Sequence, residues 1–164
     1  MASNDPAVRV LFVCTGNTCR SPLAVAALVR ELGDDASRVE VLSAGTSAID
    51  GQPASEGTRD VAARSGLDLA GHRSRRATAP LVRASDFVVV MEEHHRAAIE
   101  ALGIPDDRVH VMSEWPEPGD PGLPVSDPFG GSREAYEECW RRITAHVRRI
   151  APAVRQLLQS RNAS

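Results

Sequence analysis

The segment Val10-Leu-Phe-Val-Cys-Thr-Gly-Asn-Thr-Cys-Arg-Ser-Pro22 constrains this chain more than any other, because it sets a short polar loop between two apolar patterns of different period. Leu11, Phe12 and Val13 read as the end of a buried strand. Ser21-Pro22 followed by Leu23, Ala24, Val25, Ala26, Ala27 and Leu28 reads as a helix start with proline in its first turn. Cys14 therefore falls in a strand-to-helix turn, at the positive end of a helix dipole. The helix N-terminus, the Arg20 guanidinium and inward-pointing backbone N–H groups each favour thiolate over thiol. Those N–H groups, on residues 15–21, also suit a tetrahedral dianion, and the guanidinium adds a planar two-pronged donor. Gly16 permits the sharp turn, and Ser21 is placed to give its hydroxyl to the Cys14 sulfur. A cysteine after a strand is often only a small buried residue. Strand, Cys14, five residues, Arg20, Ser21, Pro22 and helix in this order point instead to an anion site carrying its own nucleophile.

With 164 residues the chain has the length of one ordinary domain, and residues 1–164 are read as one. Residues 1–7 and 159–164 are expected to be loose ends. No apolar run reaches membrane-spanning length, and the first residues lack a basic start followed by a hydrophobic stretch. The expected setting is cytoplasmic, without membrane. A net charge of −3 gives no general attraction to nucleic acid, so phosphate affinity is expected to be local. All 19 basic residues are arginine, and the pairs Arg141-Arg142 and Arg148-Arg149 read as a solvated helix face. Three cysteines are too few for a disulfide framework, and none has a second Cys or His at ligand spacing. Neither a metal nor a cofactor is expected. Cys19 lies beside Cys14 in the loop and is a candidate redox partner, since it can capture a sulfenic acid as a disulfide. Cys139, next to Trp140 on an apolar helical stretch, reads as core.

Strand and helix signals then alternate: strand 8–13, helix 22–32, strand 39–42, helix 55–64, short helix 78–83, strand 87–91, helix 93–102, strand 108–112, and a long helix from Ser132 onward. Phe87-Val-Val-Val90 is apolar throughout, as in strands covered on both faces. The fold class is α/β, with a parallel sheet and right-handed crossovers, and Cys14 sits beyond the carboxyl end of a strand. Residues 113–128 are rich in proline, glycine and acid, without a period, and form a long functional-loop candidate. Near its end Pro128 restrains Asp127 to an extended backbone, aiming a carboxyl group for proton donation or simply beginning a turn. Asp120-Pro121 repeats the dipeptide without a following aromatic residue. His94 and His95 open a polar helix and are assigned no chemistry.

The Cys-x5-Arg-Ser loop near the N-terminus resembles the low-molecular-weight protein phosphatases. Further blocks resemble that family in the same order: Leu42-Ser-Ala-Gly-Thr46, Gly71-His-Arg-Ser-Arg75 and Asp127-Pro-Phe-Gly-Gly131. The resemblance implies a four-stranded sheet of order 2-1-3-4 and phosphorylated proteins as substrates; the sequence does not fix the oligomeric state, and a monomer is the expectation. It implies that Cys14 is nucleophile, Arg20 holds phosphate and Asp127 is general acid, with a phosphocysteine intermediate. It also implies that Asn17, Ser21, Ser43 and His72 form a network supporting the loop, and that Cys19 has a protective redox role. Members acting on phosphotyrosine commonly carry isoleucine at the position of Thr18 and tyrosine at that of Phe129. Thr18 and Phe129 here resemble the protein-arginine phosphatase branch, and a hydroxyl on the pocket wall suits a guanidinium better than a phenyl ring. Phosphoarginine is thus the expected substrate, phosphotyrosine the alternative. A phosphopeptide-binding module would not need Cys14 and Asp127, and an arsenate reductase of this fold would need mid-chain cysteines that this sequence lacks.

Overall fold

The computed structural model describes residues 5–116 and 118–163. Four strands, β1 (Val8–Cys14), β2 (Val39–Gly45), β3 (Phe87–Val90) and β4 (Val109–Val111), form one sheet of order β2-β1-β3-β4. Every pairing is parallel, with Cys14 opposite Gly45 and Val13 opposite Val90. The helices are α1 (Arg20–Leu32), α2 (Glu56–Arg64), α3 (Ala79–Arg83), α4 (Glu93–Glu100) and α5 (Arg133–Asn162). The single-domain α/β architecture and the strand order agree with the sequence reading.

The pleat explains the uninterrupted apolar strands. Val8, Val10, Phe12 and Cys14 of β1, with Phe87 and Val89 of β3, pack with Leu23, Leu28, Ile143, Val147 and Ile150 of α1 and α5. Leu11 and Val13, with Val88 and Val90, face the other way onto Val82, Ile99 and Ile104. Both faces of β1 and β3 are covered, so apart from Arg9 at the start of β1 neither parity is polar. Cys14 shares the α1–α5 face and is the last residue of its strand, which delivers its sulfur to the carboxyl edge of the sheet.

Three differences from expectation matter. Helix α1 begins at Arg20, not Pro22, so Arg20 and Ser21 lie buried in its first turn. A 3-10 segment, Gly33–Arg38, leads into β2 where no element was expected. The final turn, expected to fray, is helical to Asn162, with Arg161 paired to Asp86 at 2.7 Å and Arg38 bonded to Asn162. At the other loose end, Ala7 N–H donates to Arg38 O; residues 1–4 and 164 lie outside the described residues. Among its described residues the loop 113–128 carries one regular element, the short 3-10 turn Met112–Glu114 at its start.

Candidate active site

The loop between β1 and α1 has its carbonyls tied outward. Cys14 O accepts from Thr46 N, Thr15 O from Ser47 N, and Thr18 O from Ser55 N, at 2.9–3.0 Å, while Asn17 O accepts from His72 Nε2 at 2.7 Å. A planar trans peptide points its N–H opposite to its carbonyl. The amides of Thr15, Gly16, Thr18 and Cys19 are therefore turned toward the cleft, forming an anion-binding nest. Asn17 holds the left-handed conformation that makes this possible, with φ 58°. Gly45 makes room behind it: a Cβ there would lie 2.3 Å from Thr15 O.

A directed chain of donors reaches the sulfur. Arg75 N–H donates to Asn17 Oδ1 at 2.9 Å, which orients the amide so that Nδ2 donates to Ser21 Oγ at 2.7 Å. The Ser21 proton is then left for Cys14 Sγ, 3.0 Å away. Thiolate is the form this arrangement serves, since a thiolate is acceptor only. Ser43 joins by its backbone, its carbonyl accepting from Arg75 Nε at 3.0 Å. Burial lowers the His72 pKa and so favours the neutral imidazole that donates to the loop.

Arg20 is 1% exposed. Its Nη1 is committed to Val125 O at 3.0 Å and to Glu92 at 3.1 Å. Nη2 has only distant partners, Thr15 Oγ1 at 3.4 Å and Asp127 at 3.8 Å. Nε has no hydrogen-bond partner among the described residues. Nε and Nη2 share one edge of the guanidinium, and this loosely held edge has the two-pronged shape that matches two oxygens of a phosphoryl group. A buried donor without a partner is costly, and an oxyanion relieves that cost.

Cys14, Thr15, Gly16, Thr18, Cys19, Arg20, Asp127 and Phe129 all line one cleft of about 550 Å³. Asn17 and Ser21 are buried behind it, as is Ser43. Asp127 Oδ1 accepts from Phe129 N at 3.1 Å, leaving Oδ2 toward Arg20. Phe129 and Ile49 are exposed apolar lips, 71% and 73%. Cys19 Sγ lies 3.3 Å from Ser55 Oγ and 3.8 Å from the Tyr136 hydroxyl. Cys139 is core, as read, and burial pushes its thiol up to about 12.

Sequence reasoning missed four contributors: Ile49, Glu92, His95 and Tyr136. His95 does stand at the start of α4, as read, but the sequence assigns it no role and it is fully buried. Its Nδ1 accepts from Glu92 N–H at 3.1 Å, so the ring proton sits on Nε2 and is donated to Thr15 Oγ1 at 2.8 Å. Burial, then the neighbouring His94, lower its pKa to about 4. Glu92, His94 and His95 offer ligand atoms within 4.8 Å of one another, yet both nitrogens of His95 are used and Glu92 is paired to Arg20. His95 braces the loop through Thr15, and Glu92 holds Arg20. The available signal was position: Met91-Glu-Glu-His-His95 follows β3, which ends on the same sheet edge as Cys14.

A sulfur beneath an amide-lined loop, with a buried two-pronged cation beside it and a carboxyl at the rim, is the apparatus of a cysteine-based phosphatase. The family model described as low molecular weight phosphotyrosine protein phosphatase matches residues 9–161, and this chain belongs to that family. It is 35% identical over 133 residues to the low molecular weight protein-tyrosine-phosphatase Etp of Escherichia coli K12, covering 80% of this chain and 84% of that protein. A low molecular weight protein-tyrosine-phosphatase of Streptomyces coelicolor is 35% identical over 164 residues, covering 94% and 98%. Among solved structures, the YwlE arginine phosphatase of Geobacillus stearothermophilus superposes with a TM-score of 0.79 at 32% identity, covering 91% and 94%. The tyrosine phosphatase Wzb of Escherichia coli K30 in complex with sulphate gives 0.80 at 29%, covering 89% and 97%. The protein is a protein phosphatase. Among the described residues no helix is long and apolar enough to cross a membrane.

Proposed function

We propose that the enzyme hydrolyses phosphoarginine on proteins. Cys14 thiolate attacks phosphorus, forming the S–P bond as the P–N bond to the substrate guanidine breaks. Arg20 and the loop amides hold the equatorial oxygens, where charge develops. Asp127 gives its proton to the departing nitrogen. As a carboxylate it then takes a proton from water, which attacks phosphorus, breaks the S–P bond and releases inorganic phosphate with Cys14 again a thiolate. Cys19, lining the same cleft, is the thiol that would condense with an oxidised Cys14 sulfenic acid, releasing water.

The observation that carries the substrate reading is Thr18 on the cleft wall, where it presents a hydroxyl. A guanidinium keeps its hydrogen bonding there, and Asp127 offers it a planar partner. The similarity to YwlE arginine phosphatase supports this reading. Phosphotyrosine is the second reading, favoured by the names of the curated relatives and by the apolar lips Ile49 and Phe129, against which an aromatic ring packs. The test is kcat/KM on matched phosphoarginine and phosphotyrosine peptides for wild type and Thr18→Ile. A phosphoarginine preference that weakens or reverses in the variant is expected. A phosphotyrosine preference indifferent to Thr18 would overturn it.

A further inference from the structure

The loop 113–128 has almost no regular structure, yet it carries Asp127. Its anchors come from two helices. From α5, Arg142 Nη2 donates to Leu123 O at 2.6 Å and Nη1 to Pro124 O at 2.9 Å. The same Nη2 lies 3.5 Å from Asp120 Oδ2. One turn further along α5, His146 Nδ1 donates to Trp115 O at 2.6 Å. From α1, Arg20 Nη1 takes the next carbonyl, Val125 O, at 3.0 Å, and the Val125 side chain is fully buried. Three consecutive carbonyls are thus held by two arginines, one of which is the phosphate-binding group. Asp127 follows only two residues later.

We propose that Arg142 is a positioning residue for proton donation: it sets the height of Asp127 above Cys14 by fixing the backbone at 123–124, without itself touching substrate. The proposal rests on the reading of Asp127 as general acid. Arg142 is not part of the solvated face that the Arg141-Arg142 pair suggests, since its side chain is only 16% exposed while that of Arg141 is 58% exposed. Its planar fork spans two adjacent carbonyls and a carboxylate at once, which an ammonium cannot do. Asp120, whose carboxyl is held below its usual range chiefly by the Gly122 N–H, completes the clamp. Misplacement of a reacting group by about 1 Å costs up to about 100-fold in rate.

The test is the dependence of kcat/KM on leaving-group pKa across a series of aryl phosphates, because this ratio covers every step through departure of the leaving group. Wild type, Arg142→Met, Arg142→Lys, Asp120→Asn and Asp127→Asn are compared, with inorganic phosphate inhibition measured alongside. For Arg142→Met the expected result is a loss of roughly 10- to 100-fold with the poorest leaving groups, little loss with the best, and an unchanged phosphate inhibition constant. Arg142→Lys and Asp120→Asn shift the slope the same way by less, and they carry the test where Arg142→Met does not fold. A uniform loss across the series, or a wild-type slope in all three variants, overturns the proposal while Asp127→Asn still steepens the slope. If Asp127→Asn itself leaves the slope unchanged, the general-acid reading falls and the proposal falls with it.

Discussion

Two of the chain's Asp-Pro dipeptides, Asp120-Pro121 and Asp127-Pro128, lie seven residues apart and form turns of nearly the same local geometry. Asp120 Oδ1 accepts from Gly122 N at 2.8 Å, and Asp127 Oδ1 accepts from Phe129 N at 3.1 Å. Each turns Oδ2 toward an arginine, Arg142 at 3.5 Å and Arg20 at 3.8 Å. Each has a buried histidine in its vicinity whose pKa burial lowers, His146 and His95. The difference is what lies beyond. Asp120 is 20% exposed and its arginine is spent on backbone carbonyls, while Asp127 is 48% exposed and borders the cleft that holds Cys14. An Asx turn built from local sequence is therefore indifferent to function. What separates the two carboxylates is access: of the pair, Asp127 is the one that lines the cleft with Cys14.

Exchanging the two carboxylates for amides gives the largest expected contrast. Asp127→Asn should lower kcat/KM for a poor leaving group by about 10² to 10³, and Asp120→Asn by less than about 10-fold. Equal effects, read by phosphate release, would erase the distinction between the turns. The arginines separate next. Arg20→Lys should weaken inorganic phosphate inhibition by about 2 kcal/mol through loss of the charged fork, whereas Arg142→Lys should leave it unchanged.

Packing offers a smaller effect. Gly57→Ala would set a Cβ 2.5 Å from the Tyr136 ring, on the side of the cleft where Tyr136 meets Cys19. It should cost about 1–3 kcal/mol of stability, measured by urea unfolding.

The histidines give the gentlest slope. An unfolded histidine protonates near 6.5, while folded His95 resists until about 4. As pH falls from about 6.5 toward about 4 the unfolded state binds more protons, so stability falls with pH in that window. His72 and His146, also lowered, add to the upper part of it. His95→Gln should flatten the dependence between pH 6 and 4 in chemical-denaturation curves. An unchanged slope would remove His95 from the account.

Much of the fold was legible because its signals are local. The mostly apolar run 8–13 and the apolar run 87–90, short and rich in valine, read as strands covered on both faces, and Cys14-x5-Arg20-Ser21 carries loop, helix start and donor within one segment. Helix α1 was read two residues late because its cap position is Cys19, which makes no side-chain cap. Arg142 was misread for a different reason. Two adjacent arginines on a helix point about 100° apart, and the pattern cannot say which one meets a loop returning from elsewhere.

By itself the sequence determined the parallel α/β order and the strand-to-helix loop that carries Cys14 and Arg20, since each depends on neighbours within a few residues. Only the tertiary structure decided that Arg20 keeps one edge of its guanidinium uncommitted, that His95 braces Thr15 across 80 residues, and that Arg142 rather than Arg141 grips the acid loop. Those facts depend on which carbonyls and carboxylates are carried to a given side chain by strands and helices distant in the chain. A buried donor takes whatever acceptor the packing brings it.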